Sequence, residues 1–210
     1  MPVRITLRTE KGFSPFRELL HRLIRLPEGD DLVLCSGYIW EPPSSSTQYK
    51  ILDDELLNAL RDGCKGKVIT TIAGKLDERW LDFYKNFVRR LRQTGLFVKP
   101  YFAPRKNWHA KIAIRLQRGQ PIAAIVGSSN LTSPAYEENK YNWNFESDVL
   151  IWKNFPNLNN SFRAPFQRDI SFGDMQLIVD PEIHQPNEEQ QLNQILRDTL
   201  DNDFEELPIE

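Results

Sequence analysis

Two short clusters in the chain carry groups able to work on a phosphoryl centre. His109 and Lys111 stand one residue apart within Trp108 to Leu116, a stretch whose side chains alternate in character. In a strand that alternation sends His109, Lys111, Ala113 and Arg115 to one face and Ala110, Ile112, Ile114 and Leu116 to the other. Same-face neighbours lie roughly 6.6 Å apart, so an imidazole and an ammonium can converge on one phosphoryl group, as nucleophile or acid and as counter-charge. The apolar run Ile122 to Val126 then delivers Gly127-Ser128-Ser129-Asn130 at its carboxyl end. Backbone N–H groups, hydroxyls and an amide at such a turn are neutral donors suited to phosphate oxygens.

The surrounding pattern predicts the scaffold. Val3 to Leu7 reads as an edge or opening strand, and Ser14-Pro15 opens a helix with Phe16, Leu19, Leu20, Leu23 and Ile24 at helical spacing until Pro27. The continuous apolar run in Asp31 to Tyr38 reads as a strand buried on both faces and closing on Ser36-Gly37. Glu41 to Lys50 is a loop, Leu52 to Leu60 a helix ending at Gly63, and Lys67 to Ala73 a strand. A helix capped by Asp77 and striped by Trp80, Leu81, Tyr84, Phe87, Val88 and Leu91 precedes Gly95, and Leu96 to Phe102 is again strand-like. This alternation argues for an α/β fold, a largely parallel sheet with helices on both faces. Beyond it, Trp108 to Leu116 and Pro121 to Val126 form a hairpin around Gly119, and Phe145 to Trp152 adds a strand, so the sheet is mixed. Residues 153–166 read as irregular, Met175 to Val179 as a late strand, and Leu192 to Leu200 as a final helix.

Composition narrows the class. The chain has 210 residues, 40% hydrophobic and 27% charged, which suits a globular domain and excludes wholesale disorder, a fibre or a disulfide mini-scaffold. No apolar run reaches the roughly 18 residues of a membrane span, and Met1 to Glu10 lacks a following apolar block, so a cytoplasmic location is expected. Cys35 and Cys64 lack metal-ligand spacing and read as buried free thiols. The formal net charge of −2 conceals an asymmetry. No acidic residue lies between Asp82 and Glu137, where Lys85, Arg89, Arg90, Arg92, Lys99, Arg105, Lys106, Lys111, Arg115 and Arg118 all fall, whereas residues 181–210 hold nine acidic side chains against Arg197 alone. A one-signed cluster suggests a phosphate-rich partner. The chain therefore divides into a domain over 1–180 and an acidic helix or tail over 181–210, either solubilising or folded over the basic cleft as a mimic of nucleic acid.

His109-Ala-Lys111, then Gly127-Ser128-Ser129-Asn130-Leu131-Thr132, then Asn144-Phe145-Glu146 resembles the HxK…GSxNxT…NxE signature of the phospholipase D superfamily. The likeness spans Trp108 to Trp152 and is nearest to the small bacterial nucleases and restriction endonucleases that carry one such motif per chain. One position departs: the fuller family form is HxKxxxxD, and Leu116 stands where its Asp would be. The resemblance implies an αβα sandwich and cofactor-free, metal-independent phosphodiester cleavage, with His109 attacking phosphorus to form a phosphohistidine. The chain has only His21, His109 and His184, and only His109 lies in a complete motif, so the second, proton-donating histidine is expected to be His109 of another copy across a twofold homodimer. Lys111 and Asn130 are expected to bind the nonbridging oxygens with Ser128 and Ser129 in support. Glu146, or Asp148 on the same strand face, is expected to orient His109.

Arg115 and Trp108 are candidates to line the substrate groove, and Tyr101 and Phe102 either stack on bases or belong to the core. His21 and His184 read as structural or exposed. The implied activity is that of a nuclease, on DNA rather than RNA, and the implied context is restriction or phage defence with further subunits. Two other readings stand beside it: a phospholipase or phosphatidyl transferase, for which no membrane anchor is evident, and a catalytically silent nucleic-acid-binding subunit.

Overall fold

The computed structural model describes residues 2–8, 11–43, 49–74, 77–103, 108–137, 143–166, 176–179, 188–200 and 205–209. Arg105, Lys106, Glu182 and His184 lie outside the described residues. The elements are β1 (Val3–Arg8), α1 (Pro15–Ile24), β2 (Leu32–Ser36), α2 (Asp54–Cys64), β3 (Val68–Ala73), α3 (Glu78–Gln93), β4 (Phe97–Phe102), β5 (Ile112–Gln117), β6 (Gln120–Gly127), α4 (Ser133–Tyr136), β7 (Glu146–Trp152), α5 (Pro156–Arg163), β8 (Gln176–Val179), α6 (Glu188–Leu200) and β9 (Glu205–Glu206). They build one nine-stranded sheet in the order β8-β1-β7-β6-β5-β2-β3-β4-β9. The fold is α/β with a mixed sheet, as the alternating elements imply. Parallel pairing is confined to β2–β3 and β3–β4, however, and the other neighbours are antiparallel. The sheet is thus less parallel than its first half suggests, because β5, β6 and β7 meander back beside β2 and capture β1. β1 is not an edge, since β8 pairs on its outer side.

The helices start where short side chains can satisfy free backbone donors. Ser14 Oγ accepts from Arg17 N at 3.2 Å, Asp53 from Leu56 N at 2.8 Å and Asp77 from Trp80 N at 3.3 Å. β1, β2, β3 and β4 all step across the sheet in one direction. Right-handed crossovers then put α1, α2 and α3 on the same face, where Leu19, Leu20, Leu60, Phe87 and Leu91 bury against Leu34, Ile69, Ala113 and Ile125. The opposite face, carrying Val33, Cys35, Ile72, Ile114 and Ala124, is covered by Leu192 with Ile195 and Leu196 of α6. Helices therefore do flank both faces, but the second layer comes from the acidic end of the chain. β9 adds to the sheet edge beside β4, and Leu207 N donates to Pro100 O at 3.0 Å. The described part of this end is built into the fold through the apolar face of α6 and the backbone of β9.

Several boundaries differ from expectation for local reasons. α2 runs past Gly63 to Cys64, and the chain turns instead at Gly66, whose φ of +70° only glycine adopts readily. Gly63 serves close packing: a Cβ there would stand 2.2 Å from Ile24 O of α1. Residues 153–166 contain α5, with Pro156 in the first turn and Leu158 and Phe162 buried one turn apart. The β5–β6 hairpin turns through Arg118 (φ +52°) and Gly119 (φ +75°), the two left-handed positions of a type I′ turn. Among the described residues no helix is long and apolar enough to cross a membrane.

If α6 seals the second face, Leu192→Ala, at a fully buried position, should lower stability by about 2–5 kcal/mol. Urea unfolding of the full chain reads this directly, and a change below about 0.5 kcal/mol, the size expected of a surface substitution, would mean that the helix does not pack.

Candidate active site

Antiparallel pairing brings together one end of four strands. The start of β5, the end of β6 and the start of β7 lie side by side, with the end of β2 next to β5. In register this makes a row that runs from Asp148 through Gly127 to Lys111, whose carbonyl accepts from Gly127 N at 3.1 Å. Ser36 continues the row one step beyond the Cys35–Ile112 pair. Residues that are far apart in sequence thereby share one rim of the sheet.

His109 and Lys111 precede the first paired residue of β5. His109 is exposed and Lys111 half-buried. The imidazole meets the Tyr38 ring edge-on, with centroids 5.7 Å apart. Gly37 is the meeting point of the motif segments: a Cβ there would lie 3.3 Å from Asn130 Oδ1 and 3.4 Å from the His109 Cα. Asn130 Oδ1 accepts from Tyr38 N at 3.1 Å, which turns its Nδ2 into the group left to donate to a ligand. Ser36 Oγ accepts from Leu131 N at 3.0 Å and donates to Tyr38 O. Two side chains thus bolt the loop after β2 to the loop after β6.

The acidic residues sit behind this rim. Ser128, exposed, donates through Oγ to Glu146 Oε2 and accepts from Ser147 N at 2.9 Å. Glu146 Oε1 accepts from Asn144 Nδ2 at 3.0 Å. Among the described residues no hydrogen bond joins His109 to Glu146 or Asp148; both carboxylates hold the serine turn. Asp148 Oδ2 accepts from Ser129 Oγ at 2.7 Å. This is possible because position 127 is glycine, where a Cβ would stand 2.0 Å from Asp148 Oδ1.

Three expected substrate-facing residues have other partners. Ser129 is buried against Asp148. Arg115 is fully buried on the helix side, and its Nη2 donates to Gly29 O at 2.9 Å, Gly63 O at 2.7 Å and Leu26 O at 3.3 Å. The alternation that puts it on the His109 face also sends it under the helix layer, where it satisfies Gly63 O in the last turn of α2 and two carbonyls of the loop after α1, so it is not part of a groove. Trp108 donates from Nε1 to Cys35 Sγ at 2.8 Å and packs with the second-face core, as Tyr101 does; Phe102 packs on the first. His21 is structural, bonded through Nε2 to the Tyr136 hydroxyl. Arg90 pairs with buried Glu41 and Arg92 donates to Val98 O at 3.1 Å, so two of the α3 arginines tie elements together rather than forming an open patch. Leu116, in the place of the family's Asp, is half-buried against the second-face core.

Tyr38, Ser36 and Gly37 were not legible as site residues. The only signal was the Ser36-Gly37 pair closing a buried strand, and nothing local says that this strand lies beside His109.

Burial pushes the Asp148 carboxyl up to about 6, with the Glu146 charge adding to the rise and the two Ser129 hydrogen bonds opposing it. Its folded value is thus above the unfolded one near 3.8, so the protein holds the proton that the unfolded chain releases. The resulting contribution to stability is complete below pH 4 and disappears as pH rises through 6. Asp148→Asn, which keeps an acceptor for Ser129 N, should flatten that slope between pH 4 and 7 in urea unfolding; an unchanged slope would mean that Asp148 ionises freely.

No family model and no curated protein matches the chain. Among solved structures, similarity is found to a phosphatidylserine synthase of Haemophilus influenzae Rd KW20 (13% identity, TM-score 0.48, covering 95% of this chain and 46% of that one). It is also found to NucT from Helicobacter pylori (13% identity, TM-score 0.40, 70% of this chain and 84% of that one) and to the polyphosphate kinase of Porphyromonas gingivalis (16% identity, TM-score 0.42, 64% and 18%). The chain spans less than half the length of the synthase and of the kinase.

Proposed function

We propose that the chain is a phosphodiesterase of the phospholipase D type that cleaves DNA through a phosphohistidine, with two copies of His109 at a homodimer interface. The observation that supports this is the gathering of His109, Lys111, Ser128 and Asn130 on one sheet rim, with two buried carboxylates holding the serine turn. A neutral His109 nitrogen attacks phosphorus as the P–O bond to the leaving nucleoside breaks. The charged His109 of a second copy gives its proton to the departing oxygen. That imidazole, now neutral, takes a proton from water, whose oxygen bonds to phosphorus and displaces His109. Lys111 supplies positive charge, and Asn130 Nδ2 supplies a neutral donor to the nonbridging oxygens; the Ser128 hydroxyl and N–H, already given to Glu146 and Ser147 O, shape the turn that carries Asn130. Glu146 acts by holding the Ser128 hydroxyl in place. The coupled imidazoles must begin in opposite protonation states, which implies a bell-shaped pH profile. A defence setting and further subunits belong to the same proposal, as an extension of the resemblance.

The test is cleavage of DNA, RNA and phosphatidylcholine in EDTA. DNA cleavage that falls at least about 10⁴-fold in His109→Ala supports the reading. Lipid turnover, or salt-sensitive binding without turnover, would replace it with a phospholipase or a silent binding subunit. Mixing tests the shared site separately. When wild-type chains are co-refolded with His109→Ala chains, activity should follow the square of the wild-type fraction, because mixed dimers lack one of two required imidazoles. A linear dependence would place both roles within one chain.

A further inference from the structure

Beside His109 lies a group of aromatic side chains that the chemistry above does not use. Tyr38 touches the imidazole edge-on, and Trp80 packs against Tyr38 with centroids 4.7 Å apart. Trp40 follows at 5.6 Å from Trp80, and Phe83 closes the group at 5.3 Å from Trp40. These four form a separate group outside the two core clusters, and a satellite cluster that only fills space would bury its rings. Tyr38, Trp40 and Trp80 keep part of their surface in solvent. They come from two elements, the loop after β2 and the first turns of α3, and form a series of ring contacts that starts at the exposed histidine and ends on buried Phe83.

The group is held rigidly. Trp40 N donates to Leu131 O at 2.8 Å, Ile51 N donates to Trp40 O at 3.0 Å, and Ile39 bridges to Leu131. The next residue, Glu41, is fully buried, accepts from Leu52 N at 2.9 Å and pairs with Arg90 of α3. The same loop gives Tyr38 N to Asn130, so the aromatic rings and the phosphate-binding amide share one fixed backbone. Arg79 lies with its guanidinium carbon 5.1 Å from the Trp40 ring centroid and 5.4 Å from that of Phe83.

Resting on the phosphodiesterase reading above, we propose that these rings form a stacking platform for unpaired bases, so that the strand entering the site is single-stranded nucleic acid. Bases in a duplex have their faces covered by their neighbours, whereas an unpaired base offers a π-face to an aromatic ring at little sequence preference. A platform that begins at the nucleophile holds the nucleotide next to the scissile phosphate. Arg79 decides between occupants: a cation already stands over the rings, which repels a quaternary ammonium headgroup and attracts the next phosphate along a strand.

The test uses full-length protein carrying His109→Gln, so that binding is read without cleavage. Ligands are a twelve-nucleotide oligothymidine, an abasic strand with the same phosphates, the matching duplex and phosphatidylcholine vesicles. The single strand should bind about tenfold or more tightly than the abasic strand, the range expected for one or two stacked bases, and more tightly than the duplex. Trp80→Leu added to His109→Gln should remove most of that preference while leaving abasic binding unchanged. Tyr38→Leu provides a second variant, and a thermal melt confirms that each is folded. Equal binding of the base-bearing and abasic strands, a preference that survives both variants, or vesicle binding that depends on Trp80 would each overturn the platform. Its failure is separable from that of the catalytic reading: cleavage in EDTA without base discrimination removes the platform alone, and base-dependent binding with no cleavage by the wild-type chain removes the hydrolase alone.

Discussion

The geometry of the site rests on a missing side chain. Gly127 ends β6 between Asp148 of β7 and Lys111 at the entry to β5, and the Asp148 carboxylate occupies the volume that a Cβ would need. From there Asp148 holds Ser129 by its hydroxyl and, more loosely, by its backbone N–H at 3.4 Å, so the Gly-Ser-Ser-Asn turn is fixed from behind. Ser128 is fixed by Glu146 in the same way. A turn anchored at two successive serines fixes the backbone that carries Asn130, whose Oδ1 is held by Tyr38 N and whose Nδ2 is left to donate, as preorganised binding of an anion requires. The arrangement places two carboxylates on one strand face in a poorly solvated place. Asp148 answers by holding its proton more tightly, and the serines answer by donating to both acids.

Positive charge in this protein has been divided between two tasks. Arg4, Arg8 and Arg115 are almost fully buried and spend their donors on backbone carbonyls: Arg4 on Phe162 O, Arg8 on Ala135 O, Arg115 on Gly63 O in the last turn of α2. A guanidinium can satisfy several carbonyls at once, which no apolar side chain can do, so these residues stitch loops and helix ends onto the sheet. Lys111 and Arg79, by contrast, stand at or near the rim. Net charge along the sequence does not separate these roles, and the long stretch without acidic residues contains both.

The acidic end of the chain illustrates the same point from the other side. Its composition suggests solvent, yet Leu192, Ile195 and Leu196 recur at helical spacing and cover the face of the sheet that α1 to α3 cannot reach. The handedness of the crossovers leaves that face open, and the chain closes it at its end.

Period and punctuation along the chain were enough to determine most of the elements: capped helices at Ser14 and Asp77, the buried strand before Ser36-Gly37 and the hairpin around Gly119, while the ordered motif of His109, Lys111, Ser128, Asn130 and Glu146 was read from residue types and a family resemblance. These are local signals, because caps, turns and alternation involve residues within a few positions of each other. Tertiary structure alone decided which strands pair in parallel, that Arg115 lies under the helices while His109 faces out, that Glu146 and Asp148 hold serines, and that Tyr38 stands beside the imidazole. Each of these depends on strand register and on which segments meet across the sheet, and alternation within one strand assigns a side chain to a face without saying what covers that face.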